Sequence, residues 1–285
     1  VGDRLNLSVY VVGGFVRDLL LNIPNLDIDI VVEGEGIPFA ACLAEEFGGR
    51  VTSHEKFGTS VVIFPDGYRI DIATARMEYY KYPGALPTVE KSSVKSDLFR
   101  RDFTVNSMAV KLTGANAYCL IDFFNGERDL RSREIHVLHS LSFIEDPCRL
   151  FRAIRFEQRF NFAMGKQAEA FMRSTIKKRL VDALSGARLF NEIKILLNEK
   201  GPMGCIRRMQ ELDLFQFVSP EMLQVPKDIE VLERLESVFS WADRVITADK
   251  PDVWYVYFLG LFYSLKEDAF LKAVGRLHLP MRMKN

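Results

Sequence analysis

The chain has 285 residues, 48% hydrophobic and 27% charged, which supplies a sizeable core and excludes a disordered, collagenous or coiled-coil protein. The 38 basic and 38 acidic side chains cancel unevenly: residues 1–90 carry 7 basic and 13 acidic groups, residues 91–179 carry 17 and 10, and the remainder 14 and 15. An acidic segment suits divalent metal and a basic one suits phosphate, so neutrality conceals two polarities. The longest apolar run, 253–265, is too short to span a bilayer, and Val1–Leu7 lacks the basic-then-apolar pattern of a signal peptide. Cys42, Cys119, Cys148 and Cys205 are far apart and form no CxxC pair, which points away from zinc or disulfides and towards a reduced, cytoplasmic setting. His136 and His139 read as surface or satisfied core residues.

Strand and helix signals alternate at first. Ser8–Val12 is apolar and β-branched and ends at Gly13-Gly14; Phe15–Leu21 is helical, Asp27–Val32 a strand, and Ile37–Phe47 a helix stopped by Gly48-Gly49. Ser60–Phe64 and Arg69–Ala73 flank Pro65-Asp66-Gly67, a hairpin pattern. Residues 77–99 lack periodicity, contain Pro83-Gly84 and Pro87, and read as a mobile loop. Ala117–Val137, around Asn125-Gly126, reads as strand–turn. Helical patterns then cover 144–160, 166–183, 187–198, 203–212, 229–248 and 251–265. Trp241, Trp254 and Tyr255 sit at helical spacing and are assigned to a core rather than to ligand stacking.

Three constellations carry chemistry. In Gly13-Gly14-Phe15-Val16-Arg17-Asp18, glycines between a strand and a helix let the backbone approach a phosphate, and Arg17 can add a guanidinium. Asp27 and Asp29 alternate with Ile28, so both carboxylates leave one face of a strand and suit Mg²⁺. In Arg100-Arg101-Asp102-Phe103-Thr104-Val105-Asn106, an arginine offers itself to a triphosphate and Asp102 or Asn106 to a ribose hydroxyl; the same residues also read as an ordinary capped helix start. In Glu145-Asp146-Pro147-Cys148-Arg149-Leu150-Phe151-Arg152-Ala153-Ile154-Arg155-Phe156, Asp146 caps a helix with Pro147 at its first position. Asp146 and Arg149 at i,i+3 can present an acceptor and a donor fork to cytosine or adenine, where a bidentate contact discriminates by about 1–3 kcal/mol. As a mere ion pair the same spacing contributes about 0.2–0.5 kcal/mol.

In this order, the three constellations closely resemble the class II tRNA nucleotidyltransferases, a family of CCA-adding enzymes, A-adding enzymes and bacterial poly(A) polymerases. The resemblance runs from about residue 9 to 160. It implies an α+β fold: a polymerase-β-like palm, a mixed sheet with helices, followed by an all-helical neck and body. The expected divisions are 1–138 for the head, 139–200 for the neck with the nucleotide-selecting motif, and 201–285 for a tRNA-binding body with an incomplete tail. It further implies Asp27 and Asp29 as catalytic ligands of two Mg²⁺ ions, and Gly13, Gly14 and Arg17 at the phosphates. Arg101, Asp102 and Asn106 would surround triphosphate and ribose; Asp146 and Arg149 would select C or A, supported by Arg152 and Arg155. The implied partners are the tRNA 3′ acceptor end with ATP, CTP or both, and no membrane. Residues 77–99 match the family's flexible loop, used in switching from CTP to ATP.

Two departures qualify the resemblance. Glu55-Lys56-Phe57-Gly58-Thr59-Ser60 lacks the G-R-R-F-like pattern of the bacterial poly(A) polymerases, and Ser185-Gly186-Ala187-Arg188 keeps an arginine without the full S-x-E-R pattern. A poly(A) polymerase is the nearest alternative. A catalytically silent RNA-binding module is disfavoured by the intact Asp27/Asp29 pair, and a sugar-nucleotide transferase leaves Arg101-Asp102 and the Arg149–Arg155 ladder unexplained.

Overall fold

The structure is a computed structural model that describes residues 1–222, 229–245 and 252–279. Its chain falls into two units: Val1–Lys81 with Leu86–Ser140, and Tyr82–Ala85 with the described residues from Leu141 onward. The first runs β1 (Ser8–Val12), α1 (Gly14–Leu20), β2 (Ile28–Glu33), α2 (Gly36–Glu46), β3 (Arg50–His54), β4 (Thr59–Ile63), β5 (Arg69–Thr74), β6 (Arg76–Tyr79), β7 (Thr88–Lys91), α3 (Val94–Phe99), β8 (Met108–Lys111), β9 (Leu120–Asp122) and α4 (Gly126–Ser132).

Seven strands form a mixed sheet in the order β3-β4-β5-β2-β1-β8-β9. Only β2 and β5 pair in parallel, with Asp29 opposite Asp71; β1 lies antiparallel to β2, with Val12 opposite Asp29. Val9, Tyr10, Val11 and Val12 are all buried, so β1 is covered on both faces and reads as an unbroken apolar run rather than an alternation. On one face Tyr10, Val12, Val31 and Ala109 pack with Val94 and Leu98 of α3. That packing fixes the end of β1, and the turn after it, against the start of β2.

The second unit contains α5 (Ser142–Glu145), α6 (Cys148–Phe160), α7 (Lys166–Lys177), α8 (Gly186–Leu197), α9 (Pro202–Glu211), α10 (Ile229–Val245), α11 (Val253–Leu261) and α12 (Glu267–Leu277). Helix α8 is its hub, packing on α6, α9, α11 and α12. Leu189, Phe190, Ile193, Leu196 and Leu197 supply the buried stripe, and the Ser185 hydroxyl accepts from the Arg188 N–H at the helix start. An α+β architecture, a mixed sheet followed by helices, is therefore what the sequence folds into.

Several elements differ from the sequence reading. Strands β3 and β8 and helix α12 carry no strong pattern of their own; β3 is exposed along its whole length and exists through its ladder to β4. Residues 77–99 are an antiparallel hairpin arm, β6 with β7, followed by α3, whose Ser93 cap accepts from the Ser96 N–H. Asn125-Gly126 does not turn a hairpin but opens α4. The predicted helices 144–160 and 166–183 are each broken, the first at Asp146-Pro147 and the second at Arg179, which holds φ 55°. Of the three aromatics assigned to a core, Trp254 is buried, whereas Trp241 is 58% and Tyr255 37% exposed.

Candidate active site

The turn joining β1 to α1 requires glycine at position 13, where φ is 74° and ψ −132°. A Cβ there would also stand 2.6 Å from Nη1 of Arg101, so the absent side chain is what lets that guanidinium lie on the turn. Arg101 Nη2 donates to Asp97 Oδ2 at 3.1 Å. A cation over a glycine turn provides both charge and backbone access for an anionic group.

The carboxylates lie beside this turn. Asp27 is exposed, with its backbone N–H donating to Asn25 Oδ1 at 2.8 Å; Asp29, one strand pleat further on, is half-buried. Asp71 joins them because it pairs in register with Asp29 on the neighbouring parallel strand. Burial raises the Asp29 carboxyl above the usual carboxylate range; Asp27 and Asp71 add to the rise, and Arg101 opposes it. Arg69 grips Asp71 with Nε at 3.2 Å and Nη2 at 2.8 Å from Oδ2. Among the described residues no group of three His, Cys, Asp or Glu side chains is preassembled as a metal cage. The residues fit instead a hard cation held by one or two carboxylates with positions left for phosphate and water, which would also relieve the like-charge crowding at Asp29.

Behind the turn runs a buried polar chain. Arg17 donates Nε to Asp18 Oδ1 at 2.7 Å and Nη1 to Asn106 Oδ1 at 2.7 Å. Asn106 Nδ2 donates to Asp102 Oδ1 at 3.0 Å, which also accepts from the Phe103 N–H at 2.8 Å. Asn25 Nδ2 donates to Asp18 Oδ2 at 2.7 Å. The structure thus brings Arg17, Asp102 and Asn106 together in one network, with Arg17 turned inward at 5% exposure. Gly14 begins α1 beside the Arg17 guanidinium.

In the second unit, Asp146 is extended (φ −132°, ψ 94°) and Pro147 already helical. Asp146 Oδ1 accepts from the Cys148 N–H at 3.2 Å and from Arg188 Nη2 at 2.7 Å. Arg149, 5% exposed, donates Nη1 to the Ser142 hydroxyl at 2.7 Å. The guanidinium carbons of Arg152 and Arg155 stand 5.7 and 5.6 Å from the Phe156 ring centroid. Burial lowers the pKa of Arg155, with Arg152 adding to the fall; burial raises that of Glu192, opposed by Arg155 and Arg152. Arg188 also donates Nη1 to the Gly84 carbonyl at 2.8 Å, and the Gly84 N–H donates to Glu145 O at 3.0 Å. Gly84 adopts φ 73° in a turn closed by Ala85 N–H to Tyr82 O, the pattern that Pro83-Gly84 encodes.

Sequence reading gave no site role to Asp71, Asp97, Arg188 or Glu192. Asp71 carried a usable signal, the same I-D-I alternation as Asp29. Asp97 stands three and four residues before its two arginines. Arg188 and Glu192 are four residues apart on α8 and gain meaning only from distant groups: Asp146 and the Gly84 carbonyl for Arg188, Arg155 and Arg152 of α6 for Glu192.

Comparison with known proteins finds matches along both parts of the chain. Residues 9–136 match the "Poly A polymerase head domain" and residues 161–225 the "Probable RNA and SrmB- binding site of polymerase A". The A-adding tRNA nucleotidyltransferase of Geobacter sulfurreducens is 50% identical over 277 residues, 97% of this chain and 32% of its own length. The solved structure of a CCA-adding enzyme in an apo form superposes with a TM-score of 0.91 at 42% identity, covering 100% of this chain and 66% of that one. A tRNA nucleotidyltransferase complexed with a primer tRNA and an incoming ATP analog superposes with a TM-score of 0.86 at 32% identity, covering 98% and 79%. The chain spans about a third to a half of the length of its curated A-adding relatives. With both segments matched in order on the expected fold, the chain belongs to the tRNA nucleotidyltransferase and poly(A) polymerase family.

Proposed function

We propose that this chain is the nucleotidyl-transferring part of an enzyme that adds adenosine to the 3′ end of tRNA, from ATP and with release of pyrophosphate. The observation that carries this reading is the carboxylate pair Asp27/Asp29 beside an arginine laid over the Gly13 turn. A addition, rather than C addition, is supported by the relatives named A-adding and by the intact 76–91 arm. The setting is the cytoplasm; among the described residues no helix is long and apolar enough to cross a membrane.

Asp27 and Asp29 would hold divalent metal, two Mg²⁺ ions, which when bound screens the triphosphate and favours ionisation of the attacking hydroxyl. The protein's own share is positioning and charge. Arg101 neutralises phosphate at the Gly13 turn, while the Arg17–Asn106–Asp102 network keeps the turn rigid and offers Asp102 and Asn106 to the ribose. Asp146 accepts from the adenine amino group and Arg149 donates to the ring nitrogen beside it; Arg188 and Ser142 fix these two side chains, and Arg152 and Arg155 brace the helix.

The test supplies tRNAs ending before CCA, at C and at CC with each nucleotide and Mg²⁺. A single A added to the CC end is the expected result, and Asp29→Ala should abolish it while leaving tRNA binding nearly intact. CCA on the shortest tRNA would make it a complete CCA-adding enzyme, and long A tails on any RNA a poly(A) polymerase. Activity surviving in Asp29→Ala would overturn the metal assignment.

A further inference from the structure

Asp97, on α3, is fully buried, at 0% exposure, and has no part in the chemistry above. Its Oδ1 accepts from Arg100 Nε at 3.0 Å and Nη2 at 2.7 Å and lies 3.4 Å from the Arg76 N–H; its Oδ2 accepts from Arg101 Nη2 at 3.1 Å. Arg100 is anchored a second time, by Nη1 to Glu78 Oε1 at 2.8 Å, an oxygen that Arg76 Nη2 shares at 3.1 Å. Burial pulls the Asp97 carboxyl up, but the charges of Arg101 and Arg100 prevail and hold it below the usual carboxylate range.

A buried ion cluster is a poor way to gain stability, because well-packed apolar side chains often do as well or better. What it does supply is a fixed direction for each guanidinium. Arg101 is the member of this cluster that faces the β1–α1 turn. Its Nη2 is tied to Asp97, its Nη1 stands where a Gly13 side chain would be, and its Nε is buried with no hydrogen-bond partner among the described residues. The tie to Asp97 therefore sets the rotation of the guanidinium plane.

We propose that Asp97 is a positioning residue for triphosphate binding, acting through Arg101 by holding its guanidinium over the Gly13 turn. This rests on the reading above that Arg101 contacts the triphosphate. Asp97→Asn keeps the shape but replaces one oxygen with an NH₂ that can only donate, so one arginine faces a donor instead of an acceptor. Arg100 retains Glu78. Arg101 has no second carboxylate within salt-bridge distance among the described residues and is the one released.

The experiment measures equilibrium binding of MgATP and of Mg-tripolyphosphate, a probe without base or sugar, to the full chain as wild type, D97N, D97E, R101A and D97N/R101A. D97N should weaken both ligands about tenfold, the size of one lost charge-assisted contact. D97E should recover most of that affinity. In the R101A background D97N should weaken binding no further, a non-additivity that a merely structural role would not produce. Unchanged affinity in D97N, or an equal further loss in the R101A background, would overturn the proposal. If D97N does not fold, the cycle of D97S with R101A, which likewise removes the carboxylate, decides by the same non-additivity. Wild-type protein that binds neither ligand would overturn the functional reading and this inference together. Wild-type binding that R101A leaves intact would remove only the phosphate role of Arg101, and with it Asp97.

Discussion

At Gly13 a backbone conformation and a side-chain contact make the same demand. The residue holds φ 74° and ψ −132°, a region that L side chains rarely enter, and Arg101 occupies the space of its missing Cβ. Gly13→Ala is therefore expected to destabilise the chain by about 1–3 kcal/mol and to raise the KM for ATP as Arg101 is displaced. Urea denaturation and steady-state kinetics check the two effects separately, and a KM unchanged despite the stability loss would detach Arg101 from the nucleotide. The turn at Gly13 was legible in sequence because a strand–turn–helix junction is a local property, and alternation singled out Asp27 and Asp29, although the strand begins at Ile28. Asp71 was not singled out, because its nearness to Asp29 comes from parallel pairing of β2 with β5 across 42 residues of chain.

Helix α4 shows how an element can override its local signal. Asn125-Gly126 is a strong hairpin dipeptide, yet Asp122 at the end of β9 accepts from the Phe124 N–H at 3.2 Å and from the Gly126 and Glu127 N–H groups at 2.9 Å. The carboxylate satisfies the first free donors of the helix and commits the chain to it. Asp122→Ala should lower stability by about 1–2 kcal/mol, and Asp122→Asn by less, as read by thermal unfolding; equal losses would mean that a neutral amide oxygen cannot replace the carboxylate and that its charge carries the effect at the helix start. The 76–91 arm escaped sequence reading for a related reason. Met77 opposite Glu90 and Tyr79 opposite Thr88 are unremarkable in sequence and become strands by pairing with each other.

Across the whole molecule the four cysteines separate by environment. Burial raises the Cys148 thiol to about 12, with Asp146 adding to it, and burial raises Cys205 to about 12, with Glu199 adding to it; Cys119 is exposed. At pH 8 a thiol of that pKa is ionised in only about one molecule in ten thousand. Iodoacetamide at pH 8 should label Cys119 readily in the folded chain and spare Cys148 and Cys205 until denaturant is added. Rapid native labelling of either buried thiol would contradict the packing of α6 or α9. The sign for stability follows from the same rise: between about pH 9 and 12 the unfolded chain loses these protons while the folded chain keeps them, so each buried thiol lowers stability as pH climbs through that window.

The sequence by itself determined the order of elements near the first turn, the helical second half, and the motifs that place the chain in its family. Those features depend on residues within a few positions of each other, where backbone preference and side-chain periodicity act directly. Tertiary structure alone decided which carboxylate would join Asp29, and that Arg188 would hold both Asp146 and Gly84. Those partnerships span tens to about a hundred residues of chain, and their geometry is set by strand register and helix packing, which no local pattern encodes.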